Sequence, residues 1–240
     1  MAPNSNTPTY VALHGSYSSL QLAFCKGEEC LSVIKQDDVR ASSHLITYLD
    51  SLLSQHATRL QELDFFVVDY GPGAFTSLRV TIAAVNGLGF AVQTKLIPVS
   101  GLDALLMQIS EDVRYPTSTV HVALLNAYNN EVYYRINAAQ SDVNNAGLQG
   151  YGFGPAEELF VALEQEFGSQ VVISFAGNGA VLHTQAIKQR FNQAIIIADL
   201  LVPSIETIAR LGLQQWQAGA TGTTRITPLY LKTQLFAIKK

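Results

Sequence analysis

From Tyr10 to Phe24 apolar positions dominate, mixed with small and β-branched residues. That pattern predicts a strand, a turn at His14–Ser18 and a second strand. A third strand is expected near Cys30–Ile34. Ser42 or Ser43 can cap a helix that runs to His56, with Leu45, Leu49, Leu52 and Leu53 as its apolar stripe. A strand at Phe65–Val68 then meets Gly71-Pro72-Gly73, and a helix opens at about Ala74. A short strand at Leu96–Val99 leads into a helix from Leu102 to about Ile109. The second half starts again with a strand, Val120–Asn126, and a hairpin partner, Glu131–Ile136, joined through Asn129–Asn130. Ser141–Pro155 reads as a polar, glycine-bearing loop. Helices at Ala156–Phe167, Val181–Phe191 and Ile205–Gln217 follow, with strands at Val171–Phe175 and Ile195–Ile197. An Ala-Gly-Ala-Thr-Gly-Thr stretch after them reads as a poorly ordered link. Each half opens with strands and then alternates helix with strand, which suits two related α/β lobes, 1–103 and 104–240.

The turn at Gly71–Gly73 has the character of a close backbone approach. Its glycines can adopt positive φ and Pro72 stiffens the bend. Thr76 and Ser77 stand in the first helical turn, where hydroxyls can satisfy free N–H groups. The turn has neither the Lys-Ser/Thr of a P-loop nor the spacing G-x-G-x-x-G. On the helix after it, Phe75, Leu78, Ile82, Val85 and Gly89 share one face, expected to pack on the sheet of the same lobe. A second face carries Ala83, Gly87 and Ala91 at i, i+4, i+8. It suits either a neighbouring helix at short distance or the home sheet, and the pattern leaves both readings open.

Composition narrows the function classes. The chain has 240 residues, 48% of them hydrophobic, enough for one large domain or two lobes with proper cores. Net charge is −4 and no long basic run occurs: Lys188 and Arg190 are isolated, and Lys239–Lys240 is a short tail. A chain that grips nucleic acid alone needs clustered Lys and Arg, and nothing here suggests one. The first residues, MAPNSNTP, are polar and read as a frayed tail. No stretch looks long enough to cross a bilayer, since IIIADLLV is broken by Asp199, and no membrane partner is expected. Cys25 and Cys30 suit a reducing cytosol and are not spaced as a metal pair; a hairpin disulfide between them fits the geometry but is not expected.

Five blocks carry a family resemblance. Tyr70–Val80, YGPGAFTSLRV, resembles the GPGSFTGLR-type signature of the TsaB (YeaZ) family of tRNA threonylcarbamoyladenosine synthesis. IPVSGLDALL at Ile97–Leu106 is similar to the family's IPVVGVSSLEAL. NAYNNEVYY at Asn126–Tyr134 is similar to DARRGEVYY, AGNGA at Ala176–Ala180 to a GDGA turn, and PLYLK at Pro228–Lys232 to a closing P-x-Y-L-R. They occur in the family's order across nearly the whole chain. The resemblance implies a two-lobed α/β fold of the acetate-kinase, hexokinase and actin-like (ASKHA) superfamily, each lobe a mixed sheet with flanking helices. It also implies a cytoplasmic partner of a TsaD-like threonylcarbamoyl transferase subunit, which acts on adenosine 37 of tRNAs reading ANN codons. A TsaE-like ATPase would complete the assembly, tRNA would be met only indirectly, and the chain alone would form a homodimer.

Active ASKHA members hold magnesium and phosphates through a carboxylate in the first strand turn. Where the family reads DTS, this chain reads His14-Gly15-Ser16. Asn126-Ala127-Tyr128 replaces an Asp-Ala-Arg, and Asn178 replaces an Asp between Gly177 and Gly179. These degenerate turns point to no catalytic residue, no cofactor and no metal. The five histidines are scattered, without the paired-histidine motif of the catalytic paralogue or the centre of a glycopeptidase. Asp69 and Glu131 are the remaining acids of interest, Glu131 reading best as a hairpin residue paired to a neighbour. Arg79, the arginine of the signature, either ties the turn down or meets a partner. The expected interface is the outer face of two helices: His44, Leu45, Thr76, Arg79, Val80, Ala83, Gly87 and Ala91. The rival readings are a free-standing ASKHA-type small-molecule kinase or ATPase, and a self-associated protein outside the pathway.

Overall fold

The alternating segments assemble into two five-stranded sheets with one shared topology. A computed structural model describes residues 7–38, 41–114, 120–138 and 150–232. The first sheet comprises β1 (Thr9–Ser16), β2 (Ser19–Lys26), β3 (Glu29–Asp37), β4 (Phe65–Asp69) and β5 (Lys95–Val99), in the order β3-β2-β1-β4-β5. The second comprises β6 (Val120–Asn126), β7 (Glu131–Ala138), β8 (Gly150–Pro155), β9 (Ile173–Ala176) and β10 (Ile195–Ile197), in the order β8-β7-β6-β9-β10. In both, the first three strands are antiparallel neighbours and the last two join in parallel. The chain thus uses one α/β unit twice, without a sequence repeat, in the two-lobed arrangement that the ASKHA resemblance implies.

Helices cover both faces of each sheet, so the central strands β1, β4, β6 and β9 are mostly apolar and almost wholly buried. In the first sheet Val11, Leu13, Leu22, Phe66 and Val68 face α1 (Leu45–Gln55) and α2 (Phe75–Val92). The alternate residues Tyr10, Ala12, Phe65 and Val67 face α7 (Ile205–Gln217). The leucines of α1 at 45, 49, 52 and 53 are buried, each contributing roughly 1.5–3 kcal/mol. On the second sheet, α4 (Ala156–Phe167), α5 (Asn178–Leu182) and α6 (Thr184–Arg190) pack on one face, and α3 (Gly101–Glu111) on the other. Residue 103/104 falls inside α3, which lies on the second sheet, and α7 returns from the second half of the chain to the first sheet.

Several expectations need correction. The turn placed at His14–Ser18 is tighter: β1 continues to Ser16, and only Tyr17 and Ser18, both at positive φ, make the bend. The loop expected at Ser141–Pro155 contains β8, and its residues 141–149 lie outside the described part, as do residues 1–6 of the polar tail. The single helix expected at Val181–Phe191 is two, α5 and α6, meeting at His183. The helix at 45–55 starts from His44 without a side-chain cap. The link expected to be poorly ordered is pinned, since Thr223 and Leu96 exchange backbone bonds of 2.8 and 2.9 Å. Finally, α2 is long and apolar enough to cross a bilayer by length and composition, with a mean hydropathy of 1.4 and 28% of it buried. One face of α2 is docked on a sheet, so its remaining apolarity is a surface feature of this fold.

Candidate functional site

Two places hold the residues singled out from the sequence: the turns between the lobes, and the outer face of α1 and α2. The first is organised by Asp69, the last residue of β4. Its Oδ1 accepts the N–H of Gly71 at 2.9 Å and that of Gly101 at 3.0 Å. Its Oδ2 lies 2.6 Å from His14 Nδ1, and both side chains are almost wholly buried. The Gly71–Pro72 peptide is cis. The Ser100 hydroxyl donates to Gly71 O at 3.0 Å. One carboxylate therefore joins β1, the glycine turn and the start of α3. His14 and Ser16 sit inside this network, with Ser16 Oγ accepting the N–H of Ala74 at 2.8 Å. The hydroxyl that caps the start of α2 thus comes from Ser16. Ser77 donates instead to Ala74 O. His14 Nε2 and Thr81 Oγ1 are buried without a hydrogen-bond partner. Gly15 is tightly enclosed, since a Cβ there would overlap the Thr81 hydroxyl.

Across the cleft, the second-lobe turns are closed in the same manner. The Tyr17 hydroxyl donates to Asn126 O at 2.8 Å, bridging the lobes. Burial pushes its phenol well above the ordinary value, so it remains a neutral donor. Asn178 Oδ1 accepts the N–H of Asn126, and Asn126 Oδ1 accepts that of Tyr128, both at 2.8 Å. The N–H groups of Gly177 and Asn178 bond to Leu200 O and Leu201 O. Gly177, at φ +102, leaves no room for a Cβ beside the Leu124 carbonyl, and Gly179 packs against the same backbone. A phosphate turn needs free N–H donors aimed at the ligand. At Asn126, Gly177 and Asn178 those donors are already used within the fold. The Tyr17→Phe chain should lose about 1 kcal/mol of stability through the missing inter-lobe bond, read as a lower urea midpoint with an unchanged slope. No change would mean that the bridge carries nothing.

The other acid and the signature arginine serve the chain end. Glu131 pairs with Lys232, the neighbour role expected for it. Arg79 lies 3.5 Å over the Phe75 ring, and its Nε donates to the Tyr230 hydroxyl at 2.8 Å. Arg79 is thus a tie to the PLYLK segment, which sequence spacing did not reveal. Phe75, Arg79, Tyr230 and Lys232 line a cleft of about 580 Å³ with Tyr128 and Tyr133. Phe75, expected on the buried face, is 44% exposed beneath the guanidinium.

The outer face is clearer. Leu78, Ile82, Val85 and Gly89 of α2 are buried on the home sheet. Ala83, Gly87 and Ala91 point away from it, and a Cβ at Gly87 would meet nothing within 4 Å. Of the two readings left open, the small-residue stripe therefore faces outward. Val80, Phe90 and, on α1, Ile46 are exposed around it. Thr76 and His44 are also exposed. Leu45 is not part of this face: at 1% exposure it belongs to the core between α1 and the sheet.

Residues 39–212 match the family model described as TsaD, tRNA N6-adenosine threonylcarbamoyltransferase. The TsaB protein of tRNA threonylcarbamoyladenosine biosynthesis from Buchnera aphidicola is 26% identical over 124 residues, 52% of this chain and 55% of that one. The chain thus spans about half the length of that relative. The Escherichia coli K12 TsaB is 22% identical over 89% of this chain and 95% of its own. The solved YeaZ structure from Pseudomonas aeruginosa superposes with a TM-score of 0.73 at 26% identity, covering 93% of this chain and all of that one. A family match over most of the length, a shared two-lobed fold and five motifs in order make one conclusion: the chain belongs to the tRNA N6-adenosine threonylcarbamoyltransferase family, among its TsaB (YeaZ) members.

Proposed function

We propose that this chain is a non-catalytic subunit of the machinery that makes N6-threonylcarbamoyladenosine on tRNA. It supports a TsaD-type transferase subunit as a dimerisation scaffold in the cytoplasm. A TsaE-type ATPase completes the assembly, and two copies pair through the same face when the transferase is absent. The observation that carries this reading is the outward stripe Ala83, Gly87, Ala91 on an apolar helix whose opposite face is already satisfied. A glycine inside a helix costs about 1 kcal/mol against alanine, so an exposed one with open space needs a packing reason beyond this chain.

The closed turns support the absence of chemistry. Tyr17, Asn126 and Asn178 bond to one another where an active relative would hold phosphates. Positive charge is also spent: Arg59, Arg114, Arg190 and Arg210 all pair with carboxylates. The purified chain is therefore expected to show neither ATPase turnover nor submicromolar tRNA binding that weakens with salt. The test of the reading is copurification from cell lysate with a tagged chain. Recovery of the transferase subunit supports it; recovery of the chain alone favours a self-associated protein outside the pathway.

A further inference from the structure

We propose that Cys25 and Cys30 form a redox-convertible dithiol, which a small disulfide such as oxidised glutathione converts, through Cys30, into an internal cross-strand disulfide. The two residues are register partners on β2 and β3, next to the Gly27–Glu28 bend and a ladder irregularity at Phe24/Cys25. Directly opposed residues of an antiparallel pair have Cα atoms roughly 4.5–5.5 Å apart, inside the range that disulfides accept. Both are free thiols here, and Cys30 packs against the buried cluster that contains Cys25.

The two thiols differ in what they can do. Cys25 is fully buried, and its contact with Cys30 together with burial pushes its thiol up. Cys30 is half-buried on the edge strand, and its interaction with the neighbouring Cys25 thiol lowers its own thiol below the ordinary value, against burial and the nearby Glu206 carboxylate. The thiolate is the nucleophile, so attack starts at Cys30. Its sulfur bonds to one sulfur of glutathione disulfide, the S–S bond breaks and one glutathione leaves as thiolate. Cys25 gives its proton to that thiolate, its sulfur bonds to Cys30 and the second glutathione leaves. The protein loses two electrons and two protons, and one small disulfide becomes two thiols.

The conversion would tie the edge strand β3 to β2 beneath α7. Cys30 packs against the same cluster as Leu211 and Trp216, the one tryptophan of the chain. The test treats the full folded chain with oxidised glutathione and follows it by intact-mass spectrometry, thiol counting and Trp216 emission. Wild type is expected to lose both thiols and two hydrogens in mass, with a change in emission that dithiothreitol reverses. Cys25→Ser should stop at a glutathione adduct on Cys30. Cys30→Ser should leave Cys25 unmodified until the chain is unfolded, and an alkylating reagent should label Cys30 at least about tenfold faster than Cys25 in the folded wild type. Three results would overturn the proposal: a stable glutathione adduct on wild-type Cys30 with Cys25 still free, equal reactivity of Cys25 in folded Cys30→Ser, or an internal disulfide only in denaturant.

Discussion

Asp69→Ala is expected to remove about 3–5 kcal/mol of folding free energy, the cost of leaving three buried partners without their shared acceptor. The loss is large because three donors depend on this carboxylate: the Gly71 and Gly101 N–H groups and the His14 ring. None of them can turn to water, since His14, Gly71 and Gly101 are all buried. Total stabilities of single domains are about 5–15 kcal/mol, so the variant should be marginal at growth temperature. Asp69→Asn keeps one acceptor and brings two unwanted donors, and should fall between the two. Urea unfolding followed by circular dichroism measures this as a lower midpoint. A shift worth less than about 1 kcal/mol would show that Asp69 is not the junction of β1, the glycine turn and α3.

Gly87→Leu should change two quantities in opposite directions. The monomer should gain about 0.5–1 kcal/mol, because a better helix former enters an exposed helix position with open space around it. Association with the transferase subunit, and homodimerisation, should weaken at least about 100-fold, or roughly 2.7 kcal/mol. Helix axes packed over small residues approach to about 8 Å, and a leucine at the contact pushes them apart. Gly89 is the internal control. A Cβ there would lie 2.9 Å from Leu96 Cδ2 and 3.2 Å from Thr94 O, so Gly89→Leu should destabilise the monomer itself. Light scattering with thermal unfolding separates the two cases. A Gly87→Leu chain that associates normally would remove this face from the interface.

The sequence made much of the fold legible. The leucines of α1 and the Leu78, Ile82, Val85, Gly89 face of α2 announced which sides are buried, because helical periodicity is a direct record of packing. What it hid were relations set in three dimensions. β8 was missed because Gly150-Tyr-Gly-Phe-Gly-Pro lacks the β-branched residues of a strand. Gly152 is small for a reason carried by another strand: its partner Tyr134 lies over it, where a Cβ would overlap the ring. Phe75 falls on the buried arc of the wheel, yet Arg79 and Tyr230 draw it into the cleft. The role of Asp69 depends on partners 55 and 32 residues away, which no local pattern contains. At the turns, lost charge was visible in the letters, whereas the bonds that fill the space, above all Tyr17 to Asn126, required the fold.

The proposed role has the chain work through its outer helical face and not through its cleft. The decisive assay is threonylcarbamoyladenosine formation on tRNA, reconstituted with the transferase and ATPase subunits and each of three forms of this chain. Wild type and Tyr17→Phe should support equal product formation, and Gly87→Leu should support almost none while remaining folded. Full product formation with Gly87→Leu, or its loss with Tyr17→Phe at unchanged association, would contradict the account.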